Sequence, residues 1–235
     1  MNLSNFYTAT ENGGFYFNRE QGSHFAKDVA GDFNPLHDAD AKKFCIPGDL
    51  IFSLALAKLG VSKKMKFRFI GMVNENVKLN FDEQPDQLIK VLDDGEKEYL
   101  SIERSGQASA NPEFARNLAN SYVAFSGHSF PHVLVPLMAS EKVMINPARP
   151  MVIYQSMSID LLQLDFTNPE LEITDTRLDV QGKRGTAILQ FCFKEKGKIV
   201  GHGEKVIVLS GLREFDQSIL DTLIFDYEAR KNAYA

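Results

Sequence analysis

The stretch DLIFSLALAKLG, residues 49–60, decides the fold. From Leu50 to Ala57 it is apolar on nearly every side, and a helix without a polar face has to be surrounded by protein. It is too short to span a bilayer, and Lys58 interrupts it. The segment therefore reads as a central helix enclosed by other elements. Those elements follow it. VNENVKLNF (73–81) places Val77, Leu79 and Phe81 on one face, QLIKVL (87–92) is β-rich, and EYLSIERSGQA (98–108) comes after an Asp94-Gly95 turn. A helix followed by an antiparallel meander is the expected order.

The second half repeats that order. VLVPLMASEKVM (133–144) reads as its helix, and IYQSMSIDLLQLDF (153–166), LEITDTRLDV (171–180), TAILQFCFK (186–194) and KIVGHGEKVIVL (198–209) read as strands. VNENVKLNF aligns with YQSMSIDLLQLDF, each being followed by a break containing proline, which implies a duplication. Between the halves, NPEFARNLANS (111–121) reads as a short helical connector, capped by Asn111 with Pro112 at its first position. The tail carries Ile219, Leu220, Leu223 and Ile224 at helical spacing and reads as a closing helix. One antiparallel sheet wrapped around a buried helix, present twice, predicts an α+β double hotdog. Its units are expected at 1–117 and at 118–235, related by a pseudo-twofold axis, the second unit including the closing helix. An α+β sandwich with helices on one sheet face is the competing architecture, and the all-round apolar helix argues against it.

Composition narrows the function. The 235 residues carry a net charge of −5 and a pI near 5.6, so there is no broad basic footprint for nucleic acid. Cys45 and Cys192 have neither CxxC spacing nor a partner cluster, and read as buried thiols in a reducing compartment. The opening MNLSNFYTATENGG lacks the basic start and apolar run of a secretory signal, and the expectation is a cytoplasmic protein without a membrane span.

Upstream of the helix, AGDFNPLHDADAKKF (30–44) gathers an aspartate, an asparagine, a proline and a histidine directly after Gly31. Gly31 can end a helix in a left-handed conformation, and Pro35 pushes Asn34 into an extended one, so Asp32 and His37 lie on a shaped loop. A carboxylate beside an imidazole is acid–base machinery, or an Asx-type turn with a solvated histidine. The run FAKDVAGDFNPLHDADAKKF, continued by IPGDLIFSLALAKLG, resembles the MaoC-like dehydratases and R-specific 2-enoyl-CoA hydratases, whose motif has the form GDxNPxH followed by a helix-opening glycine. The resemblance implies an enoyl-CoA or enoyl carrier-protein hydratase. In it Asp32 and His37 hold and activate water, Asn34 supports the loop, and the Gly48 amide receives the thioester oxygen. No cofactor or metal is implied. Two positions depart from that family's pattern, Pro47 where it has a histidine and Ala39 where it has a second acid, and the interval from His37 to Gly48 is a short 11 positions. Acyl-CoA thioester hydrolysis on the same fold, or acyl-CoA binding without turnover, are the alternatives.

Three further features need placing. Asp49 reads as a helix-start acid that complements the helix dipole. His128 and His132 have ligand-like spacing, but Pro131 is expected to keep them off a common helix face, so no metal site is expected. Lys63, Lys64, Lys66 and Arg68 follow the central helix, either as its solvated basic end or as a landing site for the phosphates of coenzyme A or for an acidic carrier protein. With two units in one chain mimicking a dimer, both a monomer and a further homodimer are compatible with the sequence.

Overall fold

The computed structural model describes residues 1–234. Its centre is α2 (Gly48–Leu59), which follows α1 (Arg19–His24) and in which every residue from Asp49 to Leu56 is buried. Only at Ala57 does the helix emerge, so the enclosure predicted for 50–57 holds over all but its last residue. Each fully buried leucine or phenylalanine of α2 contributes about 1.5–3 kcal/mol by leaving water, and this burial holds the sheet around the helix.

The strands are β1 (Thr8–Ala9), β2 (Phe15–Tyr16), β3 (Val61–Phe69), β4 (Leu79–Glu83), β5 (Leu88–Asp93), β6 (Glu98–Ser109), β7 (Val143–Met144), β8 (Met151–Leu161), β9 (Glu170–Gln181), β10 (Arg184–Glu195), β11 (Lys198–Ser210) and β12 (Arg213–Glu214). Ten of them form one antiparallel sheet in the order β1-β2-β4-β5-β6-β3-β8-β11-β10-β9, while β7 pairs with β12 alone. From β4 to β3 and from β9 to β8 the order is the same, and the two halves join where β3 meets β8 antiparallel, Phe67 opposite Met157. The fold is a double hotdog.

The structure corrects the route to that fold. VSKKMKFRF is β3, the strand that joins the halves, and not the basic end of α2. Lys64, Lys66 and Arg68 alternate with Met65, Phe67 and Phe69, as a pleated strand requires when one face is covered. The counterpart of β8 is thus β3, and VNENVKLNF is mainly the loop before β4, whose counterpart is β9. The connector is longer than predicted. Asn111 does cap it, accepting from the amides of Glu113 and Phe114, but the helix runs on as α3 (Pro112–Gly127), through the 117/118 division. Phe114, Leu118 and Tyr122 bury one of its faces, and its Tyr122 ring meets Phe52 of α2 edge-on at 4.9 Å. The helix predicted over 133–144 is shorter, α4 (Leu134–Ser140), with β7 beyond it.

Two apolar cores result. One lies between α2, α3 and the inner faces of β3, β4, β5, β6 and β8. The other places Leu134 and Met138 of α4 on Leu178, Leu189, Ile207 and Leu209, closed by Leu220 of α5 (Gln217–Tyr234). Leu223 and Ile224 pack against that second core, and Ile219 of the predicted apolar set stays 42% exposed.

Candidate active site

The motif loop begins where α1 runs on through a wider helical segment, Phe25–Ala30, and ends at Gly31 with φ +65°. There the Asp32 amide donates back to the Ala26 carbonyl at 2.8 Å. Asp32 Oδ1 accepts from the Asn34 amide at 2.9 Å, and Asn34 Oδ1 from the Leu36 amide at 3.1 Å, so both short polar side chains fold the loop onto itself. Pro35 then opens a single 3-10 turn, Pro35–His37. Beyond it Arg19 holds the Ala39 and Ala41 carbonyls and pairs with Glu75, while Asp38 pairs with Lys27.

These contacts aim Asp32 and His37 at each other. His37 Nδ1 lies 2.7 Å from the Cys45 carbonyl, an acceptor only, so Nδ1 carries a proton and Nε2 is the ring nitrogen turned toward Asp32. Nε2 is 3.7 Å from Asp32 Oδ2. That is longer than a direct hydrogen bond and short enough for both groups to hold one water.

Both residues line a cavity of about 570 Å³ between the two halves, together with Asn34, Gly48 and Asp49. Apolar walls come from Ile51, Phe69, Leu134 and Ile207, and Leu223 and Tyr227 bring α5 into the lining. The Tyr227 hydroxyl accepts from the Phe33 amide at 3.3 Å and Arg230 pairs with Asp38, tying α5 to the motif loop. Gly48 opens α2 behind Pro47, which supplies no capping side chain, so the first amides of the helix are available to an oxygen. A Cβ at Gly48 would come within 3.0 Å of the Phe69 ring and 3.1 Å of Tyr154, which explains a glycine there.

Lys63, Lys64, Lys66 and Arg68 are not among the cavity residues. Lys64 pairs with Asp160 at 3.2 Å and Arg68 with Glu103 at 3.1 Å across the exposed face of the sheet. His128 and His132 also lie elsewhere. As expected they share no helix face: both lie in the turn after α3, where their rings stack with centroids 6.3 Å apart. Among the described residues no three His, Cys, Asp or Glu side chains gather as metal ligands, and no helix is long and apolar enough to cross a membrane.

The sequence reading missed half of the polar lining. Asp49 is 8% exposed, and its Oδ1 has no hydrogen-bond partner. Burial pushes its carboxyl up, and the Lys205 cation and Ser126 hydroxyl only partly offset that. Lys205 is 5% exposed; its ammonium donates to the Ser126 carbonyl at 3.1 Å, the Ser126 hydroxyl at 2.6 Å and the Ser129 hydroxyl at 3.2 Å, and lies 4.8 Å over the Tyr154 ring. Burial pushes the Lys205 ammonium down against the opposing pull of Asp49 and Asp32, so the proton affinities of this acid and this base converge. The Tyr122 and Tyr154 hydroxyls hydrogen-bond each other, and burial raises both, which keeps them neutral. A period-two reading of β11 would have placed Lys205 on the inner face with Ile207 and Leu209.

Residues 1–218 match the family described as "Protein of unknown function (DUF3581)". The chain belongs to the DUF3581 family. Among curated proteins nothing matches this DUF3581 chain. Among solved structures it is similar to the acyl-CoA thioesterase II TesB2 of Mycobacterium marinum, with a TM-score of 0.50 and 8% identity, covering 92% of this chain and 99% of that one. A conserved hot dog fold protein from Alicyclobacillus acidocaldarius gives a TM-score of 0.49 at 9% identity, over 89% and 98% of the two chains. A MaoC-like dehydratase from Phytophthora capsici gives 0.40 at 12% identity, over 87% and 96%. At such identities the likeness is one of fold alone, and it rests on the first of the three.

Proposed function

We propose that this DUF3581 protein is an acyl-thioester hydratase or dehydratase, adding water to or removing it from a 2-enoyl thioester in the cavity between its halves. The observation that carries the reading is the convergence of Asp32 Oδ2 and His37 Nε2, 3.7 Å apart, in a cavity that also contains the open start of α2. Hydration needs a base for the water proton, a donor for the enolate oxygen and an acid for the α-carbon. Neutral His37 takes the water proton at Nε2, and the Asp32 carboxylate beside it stabilises the imidazolium that forms. The Gly48 amide, at the positive end of the α2 dipole, meets the thioester oxygen as charge develops on it. Asn34 keeps the loop in register by holding the Leu36 amide. The apolar walls take the acyl chain.

The same Gly48 amide would polarise the carbonyl for hydrolysis, so thioesterase action is the second reading. Incubation with a panel of enoyl-CoA and acyl-CoA thioesters separates the two. The expected result is loss of the conjugated alkene without free thiol. Thiol release without alkene loss replaces hydration by hydrolysis, and neither signal leaves a binding protein.

We further propose that the carrier's phosphates land on the basic face of β3, whose last residue, Phe69, lines the cavity. Reversing charge at Lys63 and Lys64 should raise KM for acyl-CoA at low salt, with an effect that shrinks as salt screens exposed pairs. Equal KM values at low salt would assign the cluster to solvation of the sheet.

A further inference from the structure

The proposed hydration leaves one role unfilled, the acid that protonates the α-carbon. We propose that Asp49 fills it, giving its proton to the α-carbon in hydration and taking one from it in dehydration, while Lys205 and Ser126 restore that proton. This assignment rests on the hydratase reading and adds a residue that the motif does not contain. Asp49 lies one residue beyond Gly48, lines the same cavity as Asp32 and His37, and is nine-tenths buried with Oδ1 unpartnered. A buried carboxyl with an unpartnered oxygen at the wall of a substrate-sized cavity calls for a functional explanation. The groups facing it come from every side of the site: Lys205 from β11, Ser126 and Tyr122 from α3, Tyr154 from β8, and Asp32 and His37 from the motif loop.

The geometry divides the labour. With the thioester oxygen on the Gly48 amide, the α-carbon is the atom next to the carbonyl and the β-carbon lies one bond further on. Asp32 and His37 form one pair of groups on the cavity wall, and Asp49 with Lys205 forms another. The water oxygen forms its bond to the β-carbon and passes its proton to His37. The alkene pair moves onto the carbonyl oxygen, and on its return the α-carbon takes the Asp49 proton. Lys205 donates to the Ser126 hydroxyl, which faces Asp49 and relays a proton to its carboxylate; Lys205 is recharged from solvent, while His37 loses its proton to solvent. One water is consumed and no other reactant is needed. Burial moves both groups in the direction that suits this exchange, the carboxyl up and the ammonium down.

Exchange at the α-carbon isolates this step from water addition. Butanoyl-CoA has no alkene to hydrate, yet its α-hydrogens exchange with deuterium oxide when an enzyme base removes them. The parent protein should hydrate but-2-enoyl-CoA and exchange butanoyl-CoA. Asp49→Asn should lose both activities by about 100- to 10,000-fold, whereas Asp32→Asn should lose hydration and keep exchange. Because Asp49→Asn leaves a buried ammonium beside a neutral amide, the double variant Asp49→Asn/Lys205→Gln, which removes both charges, is measured alongside it and should show the same loss in a folded protein. Exchange at the parent rate in either Asp49 variant, or a parent that hydrates without exchanging, overturns the assignment and leaves the hydratase reading intact. A parent that neither hydrates nor exchanges overturns the hydratase reading and the assignment with it.

Discussion

Asp32→Asn is expected to lower kcat for hydration by about 100- to 10,000-fold, the range lost with a positioned acid or base, and to change KM little. The substitution keeps Oδ1, which accepts from the Asn34 amide, so the turn survives. It replaces Oδ2, the atom 3.7 Å from His37, by an amide nitrogen that donates where the imidazolium needs an acceptor. A merely structural Asp32 would give the opposite pattern, near-parental turnover, because the turn contact is retained. Steady-state kinetics on a 2-enoyl-CoA, with circular dichroism to confirm the fold, decides between the two.

Gly127→Ala is expected to be the most damaging single methyl in the chain. A Cβ there would lie 1.7 Å from the Ala30 carbonyl oxygen and 2.6 Å from its carbon. Both are backbone atoms and have no rotamer through which to escape. Relief requires α3 and the Phe25–Ala30 segment to move apart, and overpacking of this kind costs about 1–3 kcal/mol, sometimes more. For a domain of this size that lowers Tm by about 2–12 °C. Gly31 and Asp32 follow directly on Ala30, so hydratase activity should fall together with stability. A Tm within a degree of the parent would show that the two segments yield without cost. Gly182→Ala is the control: its φ of +58° strains any side chain, but no atom lies within 4 Å of the added Cβ, and it sits in a hairpin turn away from the cavity.

The features legible in the sequence were those set by local chemistry. An apolar circumference announced α2, glycine and proline announced the motif loop, and Asn111-Pro112 announced the start of α3. What stayed hidden depended on partners distant in the chain. In VSKKMKFRF the charges drew attention and the alternation of Met65, Phe67 and Phe69 did not, although β3 needs that alternation to cover the core on one face and meet solvent on the other. Where α3 ends was unreadable locally, because its last residue, Gly127, lies against the backbone of Ala30, 97 positions earlier. Asp49 looked like an ordinary helix-start acid, since nothing nearby in the sequence shows that Lys205, 156 positions later, arrives beside it. The motif half of the cavity was therefore readable, and the Asp49–Lys205 half was not.

The most direct test of the cavity as the thioester site is a crystal structure with a bound 3-hydroxyacyl-CoA. The account predicts the thioester oxygen about 2.7–3.1 Å from the Gly48 amide nitrogen, the 3-hydroxyl between Asp32 and His37, and the acyl chain along Ile51 and Leu134. A thioester bound away from the start of α2, with Asp32 and His37 untouched, would contradict it.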